Sequence, residues 1–476
     1  MGEHTIEKIG GTSMSRFGEV MKNVIIGSRK GSELYNRAFV VSAYSGITNA
    51  LLEDKKTGAP GVFGHILHDS KEWENALENV RTKMLEYNQS FEPIGLDVKK
   101  ADAFVNERLD GIRSCLQYIR YLRTAGHSKP ADYLPATREF LAAVGEAHSA
   151  FNSTMILKAN GINARFIDLS GWMSTEVLTL DEAILNAFKD VDFANEMPIV
   201  TGYVKYDEGI MRHYDRGYSE ITFSRLAVLT QAREGIIHKE FHLSTGDPKL
   251  IGVDKVKIIG NTNFDIADQL SDMDMEAIHS KAAKDMELRN IPIRIKNAFD
   301  PEHPGTLISR NYVSPVPRAE MICGRSDLIA LEVHDPEMVS EIGYDYKLCR
   351  HLADCGISYI AKNTNANTIT HYIPQKAKNL EQCRESICRD FPHAEVHTRP
   401  VAIVSVIGSN MKIPGFLAKA AKALYEADIN VLALDQVMRQ VNIQFIVERD
   451  DFKKAQIALH REFVEKENLS PDRSFS

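Results

Sequence analysis

Four short clusters carry residues whose types and spacing suit chemistry on a phosphoryl group and a small charged substrate. Lys8-Ile9-Gly10-Gly11-Thr12-Ser13 closes an apolar run. Adjacent glycines after a strand let backbone N–H groups approach a phosphate closely, and a helix beginning there adds partial positive charge. Lys8 can place a point charge on a transferring phosphoryl group. The run is neither a Walker loop nor a dinucleotide GxGxxG, and taken alone it reads first as a plain turn. Ser42 and Ser45-Gly46-Ile47-Thr48-Asn49 follow a second apolar run. Their hydroxyls suit a carboxylate, or simply a helix cap. Glu146 follows Gly145 and shares a helical sector with Ala142, Ala143 and Ala150. Small neighbours allow close approach, so this acid can hold a ligand ammonium; an exposed helical glutamate is the plain alternative. Asp215-Arg216-Gly217-Tyr218-Ser219-Glu220 stands ahead of another helix. An arginine fork fits a carboxylate bidentately, and Glu220 can orient lysines at a phosphoryl group. The plain alternative is a surface loop with a weak ion pair.

The elements that must position these clusters alternate. Residues 5–9 and 37–41 are short apolar strands, each running into a small-residue turn and then a helical pattern, which predicts βαβ units and a parallel sheet. Residues 60–130 read as amphipathic helices, with Trp73, Leu77, Val80 and Met84 recurring at three and four residues. His65 and His68 have no third ligand nearby and read as packing or solvated histidines. A helix is predicted over 138–158, and strands over 164–169, 198–204 and 291–295. Pro315 and Pro317 mark a connector. Beyond it, strand, helix, two strands and helix occur twice in succession, an internal repeat of two α+β modules.

Composition narrows the classes. The 476 residues allow two or three domains. A net charge of -8 argues against a general nucleic-acid surface, which needs clustered Lys and Arg. No apolar stretch is long enough for a bilayer and no secretory signal is legible, so no membrane partner and a cytoplasmic location are expected. The six cysteines have no CxxC spacing and read as free thiols.

The order and joint presence of the clusters resemble the aspartate kinases of the amino acid kinase superfamily. Lys8 to Ser13 is similar to the family's Lys-Phe-Gly-Gly-Thr-Ser start, with Ile9 for Phe. Ser42 to Asn49 resembles its Ser-Ala-x-Ser-Gly-x-Thr-Asn motif, and Val144-Gly145-Glu146 its Gly-Glu helix. Arg216 to Glu220 resembles its Arg-Gly-Gly-Ser-Asp motif. KNAFDPEHPGTL, from Lys296 to Leu307, is similar to its Lys-Asn-x-Phe-x-Pro-x-x-Pro-Gly-Thr-Leu segment. The C-terminal repeat resembles paired ACT modules.

The resemblance implies a three-layer α/β/α sandwich with a mainly parallel sheet over residues 1–312, including a helical insertion near 60–130. Two ferredoxin-like ACT modules follow, over 318–398 and 399–476. It implies ATP with Mg²⁺ held mainly by phosphates, no protein-built metal site, and L-aspartate as acceptor. Lys8 and Glu220 take the catalytic roles; Ser42, Thr48, Glu146, Arg216 and Ser219 bind substrate. Lys8, Gly10, Gly11, Thr12, Ser13, Asp247 and Lys249 bind nucleotide. An amino-acid effector at the ACT interface and a homodimer through the ACT modules, with a tetramer as the alternative, complete the expectation. Three departures stand out: Tyr218 for the second glycine, Glu220 for Asp, and an illegible Thr-Asp-x-Asp-Gly nucleotide segment within IHKEFHLSTGD, residues 237–247. They agree with the branch of the family that serves ectoine synthesis. The alternatives are a catalytically silent amino-acid sensor, or a related kinase acting on glutamate or acetylglutamate.

Overall fold

The structure, a computed structural model, describes residues 2–127, 129–214, 217–273 and 278–466. It divides into two compact units, Met1–His242 with Ile278–Arg310, and Leu243–Ala277 with Asn311–Ser476.

The first unit is built on β1 (Thr5–Ile9), β2 (Arg37–Val41), β3 (Ala164–Ile167), β4 (Met197–Thr201) and β5 (Glu234–Lys239). A two-residue β6 (Asn261–Thr262) falls in the second unit's sequence. β7 (Ile293–Asn297) and β8 (Thr306–Ile308) return to the first. Within that unit the strands neighbour one another in the order β3-β4-β2-β1-β5-β7-β8. All pairs are parallel except β7 with β8. Both β2 and β4 are buried at every residue, as parallel strands covered on two faces must be. Helix Tyr218–Leu229 packs on one face of β1, β2 and β5. On the other face Arg37 of β2 donates to the Val24 and Ile25 carbonyls of the Met21–Ile26 turn. The result is the expected α/β/α layering.

The expected long helix starts earlier than its periodicity suggests, running Pro130–Ala159. Pro130 occupies the first turn, where its missing N–H costs nothing, and Asp132 accepts from the Lys129 N–H. Pro135 lies so near the start that it forfeits one backbone bond and does not end the helix. Trp73–Phe91 and Val98–Thr124 pack on each other, and the latter packs on this helix.

The second unit is an antiparallel sheet of β9 (Met321–His334), β10 (Ala361–Thr364), β11 (Thr368–Pro374), β12 (Glu395–Ile407), β13 (Val431–Asp435) and β14 (Asn442–Glu448). The order is β10-β11-β9-β12-β14-β13. β9 and β12 pair from Glu395↔His334 to Ile407↔Met321, with a register shift between Val401 and Ile403. Each of these long strands therefore serves both repeats. One core gathers Leu331, Leu348, Leu352, Ile373 and Ile387. The other gathers Ala402, Val404, Phe445, Leu459 and Phe463, and it also takes Ala319 and Ile322 from the start of the unit. Among the described residues, no helix is long and apolar enough to cross a membrane.

Candidate active site

The carboxyl ends of parallel strands are where α/β sheets bind ligands, and most of the chemically suggestive residues of the first unit meet there. β1 ends at Ile9, and Gly10 caps a four-residue helix, Gly11–Met14, whose first closing bond runs from the Met14 N–H to the Gly10 carbonyl. The Gly11, Thr12 and Ser13 N–H groups therefore precede the helical ladder and have no acceptor within it. Position 11 requires glycine, because a β-carbon there would stand 2.5 Å from the Ala43 carbonyl oxygen. Ser13 donates its hydroxyl to Glu240 Oε1 at 2.6 Å. Sequence reading missed Glu240. It reaches the loop because β1 and β5 are neighbours, with Ile9 opposite His238, and no local pattern reveals that pairing.

Lys8 faces the helix Tyr218–Leu229 and donates to Glu220 Oε1 at 3.2 Å; both side chains are nearly buried. Glu220 Oε2 accepts the His279 N–H at 2.6 Å. Burial pushes the Glu220 carboxyl up, but the charges of Lys8 and Lys239 and the His279 bond outweigh it, so the net shift is downward and the group stays ionised. The longer glutamate spans both partners at once. Ser42, just past β2, has its Oγ 3.1 Å from Ser219 Oγ. Its carbonyl accepts from Ser149 of the long helix at 2.9 Å. Thr48 lies on the short helix Ile47–Leu51 that follows.

Glu146 is 3 % exposed, so it is not the solvated helical glutamate of the plain alternative. Its Oε1 accepts from the Tyr218 hydroxyl at 3.0 Å, while Oε2 has no hydrogen-bond partner among the described residues. Burial raises this carboxyl to about 7, against the opposing effects of the Tyr218 bond and the Lys8 charge. A buried carboxylate oxygen without a partner costs free energy, and a ligand cation would relieve it. Gly202, at the end of β4, lets these groups converge: a β-carbon there would meet Ser219 Cβ at 2.6 Å and Glu146 Cγ at 3.2 Å. Tyr218 alters the expectation at the second-glycine position. The positive φ of 111° belongs to Gly217, the cap, and Tyr218 takes the first helical position with its ring buried. Tyr203 packs edge-on against that ring at 5.9 Å.

Lys8, Gly10 to Ser13, Ser42, Thr48, Glu146, Ser219 and Glu220 thus all belong to the first unit. Arg216 lies outside the described residues. Asp247 and Lys249 belong to the second unit, where the Asp247 carboxylate caps the Pro248–Ile251 helix by accepting the Lys249 N–H.

Residues 4–297 match the amino acid kinase family, and residues 404–463 match an ACT domain. Aspartate kinase Ask_Ect of Stutzerimonas stutzeri (strain A1501) is 48 % identical over 467 residues, covering 98 % of each chain. The chain belongs to the amino acid kinase family, among its aspartate kinases. The aspartokinase of Schizosaccharomyces pombe is more distant, at 24 % identity over 97 % of this chain and 92 % of its own. Two solved structures share the fold. The aspartate kinase of Clostridium acetobutylicum superposes with a TM-score of 0.73 at 19 % identity, over 96 % of this chain and 100 % of that one. E. coli aspartokinase III in complex with aspartate and ADP gives 0.69 at 19 % identity, over 97 % and 99 %. In this aspartate kinase family member, the hydroxyls, the buried Glu146 and the Lys8–Glu220 pair line the same end of one sheet.

Proposed function

We propose that the protein phosphorylates the β-carboxylate of L-aspartate with ATP, giving 4-phospho-L-aspartate, and that its ACT modules sense an amino acid. The observation that carries the substrate is the 48 % identity to an aspartate kinase along 98 % of both chains. The unpartnered Glu146 Oε2 supports an ammonium-bearing substrate. In this reading Glu146 holds the α-ammonium and Arg216 the α-carboxylate, while Ser42, Thr48 and Ser219 complete the pocket. The β-carboxylate is then directed toward Lys8. A carboxylate is a nucleophile at neutral pH, so no general base is needed. One of its oxygens attacks the γ-phosphorus as the bond to the ADP oxygen breaks, and the leaving charge stays on ADP. Catalysis rests on positioning and charge neutralisation. Lys8 supplies N–H donors to the transferring group, and Glu220 fixes Lys8. The Gly11 to Ser13 amides hold phosphate oxygens. Mg²⁺ would be held mainly by the nucleotide's phosphates and would supply counter-charge there. Glu240 is the carboxylate at that loop and fits such an ion.

The same reading makes the chain a cytoplasmic homodimer joined through its ACT modules. Its product feeds aspartate-derived amino acids or, as the sequence departures and the Ask_Ect relative favour, ectoine. The test is acyl-phosphate formation trapped as a hydroxamate, with Mg-ATP and L-aspartate beside L-glutamate and N-acetyl-L-glutamate. Signal with aspartate alone is expected. Signal with another acceptor reassigns the substrate, and folded protein that binds an amino acid but turns over none of the three is a sensor.

A further inference from the structure

A second cavity of about 740 Å³ lies within the first unit, on the sheet face opposite Lys8. Its walls include Glu7 of β1 and Arg37, the first residue of β2, together with His238 of β5 and Arg294 and Lys296 of β7. The remaining wall comes from Lys22 to Arg29, the turn that descends from the phosphate loop, and from Pro301 to Pro304. Arg37 opens its strand and that turn runs back toward the strand starts. The cavity runs along this face from Arg37 at the start of β2 to Lys296 and Asn297 at the end of β7, and none of its walls belongs to the Gly10 to Ser13 loop.

The wall is strongly and unevenly charged. Five cations line it, Lys22, Arg29, Arg37, Arg294 and Lys296, against two acids, Glu7 and Glu302. This stands out in a chain of net charge -8. Glu7 is fully committed: it accepts from Arg37 Nε at 2.6 Å and Nη2 at 3.0 Å, and lies 2.7 Å from His238 Nε2. Arg294 pairs with Glu234 outside the wall at 2.8 Å. Among the described residues neither Arg29 nor Lys296 makes a salt bridge; they donate to the Val24 and Pro301 carbonyls. Lys22 is exposed at the rim. Burial lowers both Arg29 and Lys296; Arg37 lowers Arg29 further against Glu7 and Glu33, and Arg29, Arg294 and Arg37 lower Lys296 against Glu7, so in each the acids fall short of offsetting burial and the neighbouring cations. A space of this size suits a small molecule rather than a macromolecule.

We propose that this cavity is a binding site for a small polyanion, a phosphate ester or a polycarboxylate, held by Lys22, Arg29 and Lys296 and separate from the sites for nucleotide and aspartate. Arg37 commits four of its five N–H donors to Glu7 and to the Val24 and Ile25 carbonyls and acts mainly as the fixed wall. β1 joins the two places, since Glu7 faces the cavity and Lys8 faces the phosphoryl site. Occupancy is thus placed to alter turnover without competing with either substrate.

The test is isothermal titration of the whole protein with citrate and with inorganic pyrophosphate, at constant ionic strength set by chloride. The wild type is expected to bind at least one with a stoichiometry of one per chain, beyond any pyrophosphate bound at the phosphate loop. The double variant Arg29→Gln/Lys296→Gln is expected to lose that binding at least tenfold, with an unchanged circular-dichroism spectrum. The exposed Lys22→Glu should weaken it several-fold with no risk to the fold. Binding of both probes indicates shared polyanion recognition; pyrophosphate alone indicates a phosphate ester, and citrate alone a polycarboxylate. Absence of binding in the wild type overturns the proposal. So does binding that survives in the cavity variants and disappears in Lys8→Ala, which would put the anion on the phosphate loop. None of these readouts depends on catalysis, so they stand apart from the fate of the kinase assignment.

Discussion

Replacing Tyr218 with Phe removes one hydroxyl and keeps the ring. The ring stays buried, and its edge contact with Tyr203, at 5.9 Å between centroids, involves no oxygen. What disappears is the 3.0 Å bond to Glu146 Oε1. A hydrogen bond to a charged acceptor contributes about 1.5–3 kcal/mol. The ionised form of Glu146 therefore loses roughly that much, which raises a carboxyl already at about 7 by roughly one to two further units. Near neutrality most of the variant's Glu146 would be protonated and unable to pair with an ammonium. The expected result is a KM for aspartate about 5- to 50-fold higher at pH 7, from the fall in the ionised fraction, with kcat within a few-fold. The deficit should shrink as pH is raised toward 9 and Glu146 ionises. Initial rates across pH 6–9 read this directly: the acidic limb of kcat/KM for aspartate, near 7 in the wild type, should move upward. An unchanged limb and an unchanged KM would refute the positioning role of Tyr218. A fall in kcat alone would show that the hydroxyl acts on the transfer step instead.

Other perturbations separate the site from its scaffold. Lys8→Ala should lower kcat by about 100- to 1000-fold or more with an unaltered circular-dichroism spectrum; near-normal turnover would remove Lys8 from the mechanism. Glu146→Gln should abolish productive aspartate binding and yet stabilise the protein at pH 8. The folded carboxyl at about 7 lies above the unfolded value of 4.5, so ionisation costs stability as pH rises through that window, by up to about 3 kcal/mol; thermal melts at pH 5 and pH 8 measure the crossover. Arg37→Leu should cost about 3–5 kcal/mol in urea denaturation, because it strands a buried Glu7.

The sequence made the strands legible where they are short, apolar and closed by small residues. β1 and β2 fall at 5–9 and 37–41 as expected. Local periodicity read two successive α+β repeats in the second unit, but it could not show that β9 and β12 pair with each other along their whole length. That depends on a ladder between residues some seventy positions apart. Within the site, Lys8, Glu146 and Glu220 were accessible because charged residues next to glycines and apolar runs are unusual. Tyr218 registered only as a departure from a glycine. Its bond to Glu146 spans 72 positions and depends on how two helices meet at the end of β4. Glu240 and the His279 N–H were invisible for the same reason, since each is a partner fixed by strand order or by a distant turn rather than by local spacing.

The alternation of β1 explains why adjacent acidic and basic residues have opposite duties. Successive side chains of a strand point to opposite faces, so Glu7 and Lys8 each meet a partner on a different side. Glu7 is saturated by Arg37, His238 and the Thr5 hydroxyl, and Arg37 gives two of its three remaining donors to the Val24 and Ile25 carbonyls. Such a network resists substitution and leaves at most one Arg37 N–H for a ligand. The pair of Lys8 and Glu220 is different in kind. Glu220 is anchored independently by the His279 N–H, and Lys8 makes one side-chain hydrogen bond at 3.2 Å, so an ammonium with three N–H groups keeps capacity for phosphate oxygens. Changes at Glu7 or Arg37 should therefore register in denaturation before they register in turnover, and changes at Lys8 the reverse. Measuring both quantities for both positions tests whether one five-residue strand divides stability from catalysis by face. Loss of turnover in a Glu7→Gln variant that denatures like the wild type would show that the two faces are not separable in this way.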